Sequence, residues 1–262
     1  MNILEKKYFN QYQEKIDVDL ATRFDDLKED SFKIDLKYLI EASAVYSSNI
    51  EGNPMDINSF MNAKAFKQKA KPKEYSEIVE LVGAYDFARE NKLTENNLLK
   101  AHEMLSKSFL IKSRRGKYRN EKVGVFDQYG LVYLAVEPEN VAREMKNLFT
   151  AVDKLLKQDM DIEEVFYFAS ILHLVFAHIH PFHDGNGRAA RILEKWFLAS
   201  KLEDKAWLIQ SEKYYKENIK EYYKNINLGV NFYELNYDKC LPFLLMLPKA
   251  LERIKKFVLD KF

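Results

Sequence analysis

Apolar side chains recur every three or four positions along most of the chain, which is the period of an α-helix. The first clear stripe lies between residues 20 and 50. Five positions at this spacing share one helix face: Leu36, Ile40, Ala44, Ser47 and Glu51. The tripeptide Gly-Asn-Pro at 52–54 follows directly. Because glycine and proline end helices, we predict that this helix ends there.

Further helices are predicted along the rest of the chain. They cover residues 73–91, 94–110, 137–158, 162–179, 190–202, 211–226 and 240–262. The segment at 162–179, IEEVFYFASILHLVFAHI, is apolar on nearly every face, whereas an exposed helix is apolar on one side only. We therefore expect this helix to be central and buried.

One segment departs from the helical period. Between Val123 and Pro138, β-branched and aromatic residues flank a glycine-containing turn at Asp127–Gly130. This pattern predicts an isolated β-hairpin. The fold class expected is therefore all-α, with one small β-hairpin flap.

Composition is that of a folded protein with a substantial core. The 262 residues are 47% hydrophobic with only 8 Gly and 6 Pro, and no repeat or linker suggests a second independent domain. A net charge of +1 gives no global basic field, so we do not expect direct nucleic-acid binding. The single cysteine, Cys240, cannot form an intrachain disulfide. The N-terminus lacks the apolar core of a signal peptide, and ILHLVFAHI is too short to cross a membrane, so a cytoplasmic location is expected.

The stretch HPFHDGNGRAAR, residues 180–191, concentrates glycine and histidine in a chain poor in both. Gly185 and Gly187 let the backbone approach a ligand closely, and the N–H groups at a helix start form a site for an anion. Arg188 and Arg191 are three residues apart and can both reach a polyphosphate. The stretch is neither a Walker loop nor GxGxxG, so it predicts a phosphate site of another kind.

Two further side chains in this stretch suit phosphate chemistry. Asp184 offers the hard oxygen that Mg²⁺ prefers. His180, with an ordinary pKa of about 6.5, suits a general base. His183-Asp184 also matches the dipeptide of HD phosphohydrolases, which need further metal ligands. We interpret three other histidines as structural: His102, His173 and His178.

HPFHDGNGRAAR resembles, without a gap, the HPFx[DE]GNGRxxR signature of Fic-domain proteins. GKYRNEKVGVF resembles the segment that leads into the family's hairpin, and SEKYYKENIKEYYKNI its helix ending in paired tyrosines. The resemblance covers roughly residues 33–227. It implies transfer of AMP from ATP to a Tyr, Thr or Ser hydroxyl of a target protein, with release of pyrophosphate. It also implies three parts: N-terminal helices with an inhibitory helix (1–60), a catalytic core (61–230) and a C-terminal helical extension (231–262).

The resemblance implies a role for each residue of the stretch. His180 would deprotonate the target hydroxyl, and Asp184 would bind Mg²⁺ between the phosphates. The backbone from Gly185 to Gly187, with Asn186, would hold the α-phosphate. The two arginines, Arg188 and Arg191, would hold the remaining phosphates.

SSNIEGN, residues 47–53, resembles the family's inhibitory motif (S/T)xxxE(G/N). Ser47, Glu51 and Gly52 occupy its fixed positions. The resemblance implies that Glu51 pairs with Arg191, so that Arg191 cannot hold the γ-phosphate and ATP binds misaligned or less well.

The hairpin is expected to dock the target, because an exposed strand can pair with an extended segment through main-chain hydrogen bonds. The docking residues would be Val123, Gly124, Val125 and Phe126. Two alternatives remain open: removal of AMP from a modified protein with Glu51 orienting a water, and a nucleotide-sensing module with little catalysis. A DNA-binding regulator is disfavoured because the residues that follow Asn231 are too few for a DNA-binding domain. The sequence also leaves a homo-oligomer open.

Overall fold

The computed structural model describes residues 3–27, 36–66 and 72–252. The helices that precede the hairpin are α1 (Phe9–Lys15), α2 (Leu20–Asp25), α3 (Leu36–Ile50), α4 (Ile57–Ala65), α5 (Lys73–Glu90) and α6 (Glu95–Leu105). The hairpin strands are β1 (Gly124–Asp127) and β2 (Gly130–Leu134). The helices that follow are α7 (Pro138–Lys157), α8 (Ile162–Ile179), α9 (Asn186–Leu202), α10 (Ser211–Glu217), α11 (Ile219–Ile226), α12 (Leu241–Leu244) and α13 (Met246–Glu252). The predicted fold class, all-α with one β-hairpin, is confirmed.

Helix α8 lies at the centre of the fold, as its sequence predicts. Its first turn is fixed by a capping box, in which the Asp161 side chain accepts from the Glu164 N–H and the Glu164 side chain accepts from the Asp161 N–H. By length and composition this 18-residue helix could cross a membrane, but 72% of it is buried inside the protein. That burial is typical of the core helix of a globular fold.

Most of the other helices pack against α8 or α9. Helix α9 packs along α8 and also contacts α5 and α6, while α3 packs against α5 and α10. Helices α1, α12 and α13 contact α8 from elsewhere on its surface. This arrangement brings α3, early in the chain, next to the first turns of α9. The three-part division at residues 60 and 230 stays a prediction.

Several element boundaries differ from the sequence prediction. The helix expected at 211–226 is two helices, because the backbone leaves the helical conformation at Asn218. Helices α1 and α4 were not predicted; Asp56 is the N-cap of α4, and its side chain accepts from the N–H groups of Asn58 and Ser59. The segment 240–262 contains α12 and α13, and its last ten residues lie outside the described part of the chain.

The predicted hairpin is present with its turn at the predicted position. β1 and β2 are antiparallel, with Gly124 opposite Leu134 and Asp127 opposite Gly130, and a bulge lies between Val125 and Phe126. The other edge of β2 is also engaged, since the Leu134 N–H donates to Val230 O at 2.9 Å. The hairpin is therefore tied to the C-terminal segment on its β2 side.

Candidate active site

The loop from His180 to Gly185 joins the end of α8 to the start of α9. His180 has left-handed backbone angles, φ 51° and ψ 59°, which are uncommon for a residue with a side chain. Such strain persists where the surrounding structure imposes it, and it concentrates at functional sites. His180 Nδ1 lies 3.2 Å from the Ala177 carbonyl oxygen, so this nitrogen carries the proton. The lone pair is therefore on Nε2, and burial lowers the pKa of His180, which favours the neutral ring.

Asn186 closes the loop with its side chain. The Phe182 N–H donates to Asn186 Oδ1 at 2.8 Å, and Asn186 Nδ2 donates to the Phe182 carbonyl at 2.9 Å. Both polar atoms of this buried amide are thus used inside the loop. That Asn186 helps to hold a phosphate stays a prediction.

The first turn of α9 presents hydrogen-bond donors. Gly185 is the N-cap residue with φ 81°, and the N–H groups at the start of a helix lack partners within the helix. Arg188 lies beside them, only 6% exposed, with its guanidinium 3.9 Å from the centroid of the Phe109 ring. Among the described residues, Arg188 Nε has no hydrogen-bond partner. A buried, unsatisfied donor next to a helix N-terminus is what an anionic ligand would complete.

Asp184 marks the exposed edge of this donor site. Its side chain is 57% exposed and lies 3.6 Å from Arg188 Nη2. Within residues 3–27, 36–66 and 72–252, no group of three His, Cys, Asp or Glu side chains could hold a metal. The ligand cluster of an HD phosphohydrolase is therefore not found in this part of the chain. A single exposed carboxylate does fit Mg²⁺ that takes its other ligands from phosphate and water.

Arg191, one turn further along α9, is fully buried against α3. Its Nε donates to Ser47 Oγ at 2.9 Å, and its Nη2 donates to the Ser47 carbonyl at 3.0 Å. The same Nη2 donates to Glu51 Oε1 at 2.7 Å, so the expected pair between Glu51 and Arg191 is present. Two residues of the predicted inhibitory motif thus bind one guanidinium, and the third, Gly52, turns the chain away with φ 92°.

The Glu51 carboxylate also lies against Gly187 in the first turn of α9. A methyl group placed on Gly187 would collide with Glu51 Oε1 and come within 3.1 Å of Arg191 Nη1. Burial alone would raise the pKa of Glu51, but the charge and the hydrogen bond of Arg191, together with the charge of Arg188, outweigh burial, so the pKa is lowered from its ordinary value. Glu51 is therefore an anion held at the start of α9.

Behind Arg191 a chain of buried polar groups continues into the core. Arg191 Nη1 donates to the Tyr222 hydroxyl at 3.3 Å, which lies 3.0 Å from His173 Nε2. His173 Nδ1 lies 2.7 Å from Glu194 Oε2, which also accepts from the Tyr215 hydroxyl. The ring of His173 thus bridges a phenol and a carboxylate. Arg191 is therefore held by these buried polar groups as well as by α3.

The remaining predicted structural histidines are buried and hydrogen-bonded. His102 Nε2 lies 2.9 Å from the Asp184 carbonyl and its Nδ1 accepts from the Gly116 N–H at 3.0 Å. Its ring stacks on Phe182 at 3.6 Å between centroids. His178 Nε2 lies 2.8 Å from the Ile226 carbonyl. Burial lowers the pKa of both rings, His102 and His178, to about 4, so both are neutral supports.

Arg119 is a site residue that the sequence analysis did not single out. It is 2% exposed, its N–H donates to the Pro181 carbonyl at 2.9 Å, and its Nε donates to the His180 carbonyl at 2.8 Å. In the sequence it is the arginine of the charged segment GKYRNEK. Because an arginine in such a segment is usually exposed to solvent, nothing there marked it as a site residue.

Part of the chain that carries the site matches a known family. Residues 92–198 match the model of the Fic/DOC family. The chain is 30% identical over 161 residues to a Nematostella vectensis protein named "Protein adenylyltransferase Fic". That match covers 57% of this chain and 35% of the relative, so the chain spans about a third of the length of the relative.

Solved structures share the fold across nearly the whole chain. A Fic family protein from Desulfovibrio desulfuricans has a TM-score of 0.70 at 21% identity, covering 97% of this chain and 72% of its own. A Fic domain-containing signaling protein from Bacteroides thetaiotaomicron has a TM-score of 0.68 at 20% identity, covering 99% and 96%. The site sequence and the family match over residues 92–198 show that the chain contains a Fic domain, and the solved structures share its fold.

Proposed function

We propose that this chain is a self-inhibited protein adenylyltransferase, which transfers AMP from ATP to a hydroxyl side chain of a target protein. The observation that carries the proposal is the Glu51 carboxylate bound to Arg191 over Gly187. An acidic side chain held at a buried cation and a helix N-terminus occupies a place suited to phosphate. The relative named protein adenylyltransferase supports the same chemistry.

In the proposed reaction the target hydroxyl oxygen attacks the α-phosphorus of ATP. The bond from that phosphorus to the bridging oxygen breaks, pyrophosphate leaves, and the hydroxyl proton passes to His180 Nε2. The Nδ1–H of His180, directed at Ala177 O, holds the ring in the tautomer that can accept this proton.

The other residues bind and neutralise the nucleotide. The N–H groups at the start of α9 would take the α-phosphate, and Arg188, with its unpaired Nε, would take a second phosphate. Arg191 would take the γ-phosphate once Glu51 moves away. Asp184 would hold Mg²⁺, which supplies charge neutralisation of the phosphates when bound.

The target segment would add to the β1 side of the hairpin. β2 is already bonded at Leu134 to the Val230 carbonyl, so its outer edge is engaged there. Val125 and Phe126 on β1 are exposed and available for side-chain contacts. Main-chain pairing would place an extended segment beside the loop that carries His180.

A reverse reaction is a second candidate, because the Glu51 carboxylate is about one third exposed (32%) as well as bound to Arg191. In that position it could orient a water for removal of AMP from a modified protein. The two candidates make opposite predictions for Glu51→Gly, which raises transfer of AMP but abolishes its removal.

The test of AMP transfer uses Glu51→Gly and Glu51→Gly/His180→Ala with α-labelled ATP, Mg²⁺ and a clarified cell lysate. We expect labelled protein only in the first reaction, with the mass of AMP on a Tyr, Thr or Ser of the labelled protein by mass spectrometry. Labelling that persists in the His180→Ala variant, or no labelling by either, would contradict the proposed function.

A further inference from the structure

Arg119 holds three separate segments of the chain through main-chain oxygens. Its Nε donates to the His180 carbonyl at 2.8 Å, and its Nη1 donates to the Glu121 carbonyl at 2.9 Å. Its Nη2 donates to the Val136 carbonyl. Glu121 precedes β1 and Val136 follows β2, so one planar guanidinium joins both ends of the hairpin to the loop residue His180.

The position of this buried cation is explained by the end of α8. Every hydrogen bond that the described structure gives to the Arg119 side chain ends on a carbonyl oxygen. The carbonyl end of a helix carries partial negative charge, which stabilises a cation there. Arg119 Nη2 also lies 3.4 Å from the Ile179 carbonyl, in the last turn of α8. A lysine, with one nitrogen, cannot reproduce this fork of donors.

Tyr133 makes a second connection between the hairpin and the same helix end. This β2 residue is 7% exposed, and its hydroxyl donates to the His178 carbonyl at 2.6 Å. Its ring also lies 5.8 Å, between centroids, from the ring of His178. Along the chain, Tyr133 binds two residues before His180, and the Arg119 guanidinium binds at Ile179 and at His180 itself.

We propose that Arg119 and Tyr133 form a flap clamp, a pair of positioning residues that fixes the hairpin relative to His180. This proposal rests on the proposed function, since it concerns how a docked target hydroxyl meets the base. A segment paired with β1 takes its position from the hairpin, and the hairpin takes its position from the carbonyls around His180. Displacing reacting groups by about 1 Å can cost on the order of 100-fold in rate.

The clamp predicts a specific kinetic pattern in the Glu51→Gly background. Each variant should raise the lysate protein concentration that gives half-maximal labelling, or lower maximal labelling. The change should be at least about 10-fold for Arg119→Lys and about 3-fold for Tyr133→Phe. These are estimates for partial loss of positioning. The ATP concentration for half-maximal labelling should change less than about twofold, since the nucleotide contacts lie on α9.

Hydrogen exchange of the same proteins without nucleotide tests the clamp independently of activity. Amides of residues 123–136 should exchange faster in both variants, while those of α8 remain protected. Arg114→Lys is the matched control, because Arg114 lies on the same segment but pairs with the exposed Glu121 side chain at 2.6 Å. It should alter neither readout.

An unchanged rate of hydrogen exchange in the hairpin of Tyr133→Phe would overturn the clamp. If Arg119→Lys does not fold, the result for this conservative Tyr133 variant decides whether the clamp exists. Equal shifts in half-saturation for lysate protein and for ATP would also overturn it, because general loosening affects both. If the Glu51→Gly parent labels nothing, the proposed function fails, and the exchange measurement still decides the clamp.

Discussion

Removing the Glu51 carboxylate should strengthen ATP binding more than ADP binding. Only ATP has the γ-phosphate that Arg191 would hold, and in the resting protein Glu51 Oε1 occupies that guanidinium at 2.7 Å. Breaking a fully buried ion pair costs about 3–5 kcal/mol, whereas an exposed pair contributes about 0–1 kcal/mol. Arg191 is fully buried and Glu51 is 32% exposed, so separating this pair should cost an intermediate free energy of about 1.5–3 kcal/mol.

Since about 1.4 kcal/mol corresponds to tenfold, Glu51→Gly should raise ATP affinity about 10- to 100-fold relative to wild type. Arg191 also keeps bonds to Ser47 and Tyr222, which hold it in the site after the change. The measurement is calorimetric titration with ATP and with ADP, both with Mg²⁺. Glu51→Gln separates the effect of charge from that of bulk.

Glu41→Gln is the matched control, because Glu41 lies on the same helix, α3, but pairs with Lys64. It should leave both affinities unchanged. Equal gains for ATP and ADP in Glu51→Gly would refute the assignment of Arg191 to the γ-phosphate.

Three further outcomes are expected. The rate of AMP transfer by Glu51→Gly should fall on acidification with a midpoint below about pH 6.5, because burial lowers the pKa of His180 and only the neutral ring accepts a proton. A midpoint above about pH 7 in a pH–rate profile would contradict this role of His180. Asp184→Asn should remove the Mg²⁺ dependence of ATP affinity in calorimetry, and an unchanged dependence would exclude this carboxylate as the ligand. Asn186→Ala leaves two buried main-chain groups of Phe182 unpaired, so urea denaturation should show a free energy of unfolding lower by about 1–3 kcal/mol; no loss would contradict the loop-closing role.

The sequence predicted three of the long helices well. α5, α7 and α8 lie within about two residues of their predicted limits because burial and helical period agree along them. The split at Asn218 and helix α4 were missed, since short helices depend on local capping and on packing against distant neighbours. The apolar period carries no information on either.

Burial of charge was the least predictable feature. Along α9, Arg191, Glu194 and Lys195 occupy positions that a sequence pattern assigns to solvent, yet each is at most 1% exposed. Their partners come from distant segments, as Lys195 shows by donating to Ser43 Oγ and Glu212 Oε2. Because pairing across 140 to 152 residues leaves no local trace, only the motif around Glu51 indicated any of these contacts in advance.

The central claim is that Glu51 restrains AMP transfer by occupying Arg191, and the most direct test is a mutant cycle. Initial rates of AMP transfer to lysate protein would be measured with ATP and Mg²⁺ for wild type, Glu51→Gly, Arg191→Ala and the double variant. The account predicts at least about a tenfold gain for Glu51→Gly, no gain for Arg191→Ala, and a double variant that resembles Arg191→Ala. Equal rates in wild type and Glu51→Gly, or a double variant as active as Glu51→Gly, would contradict it.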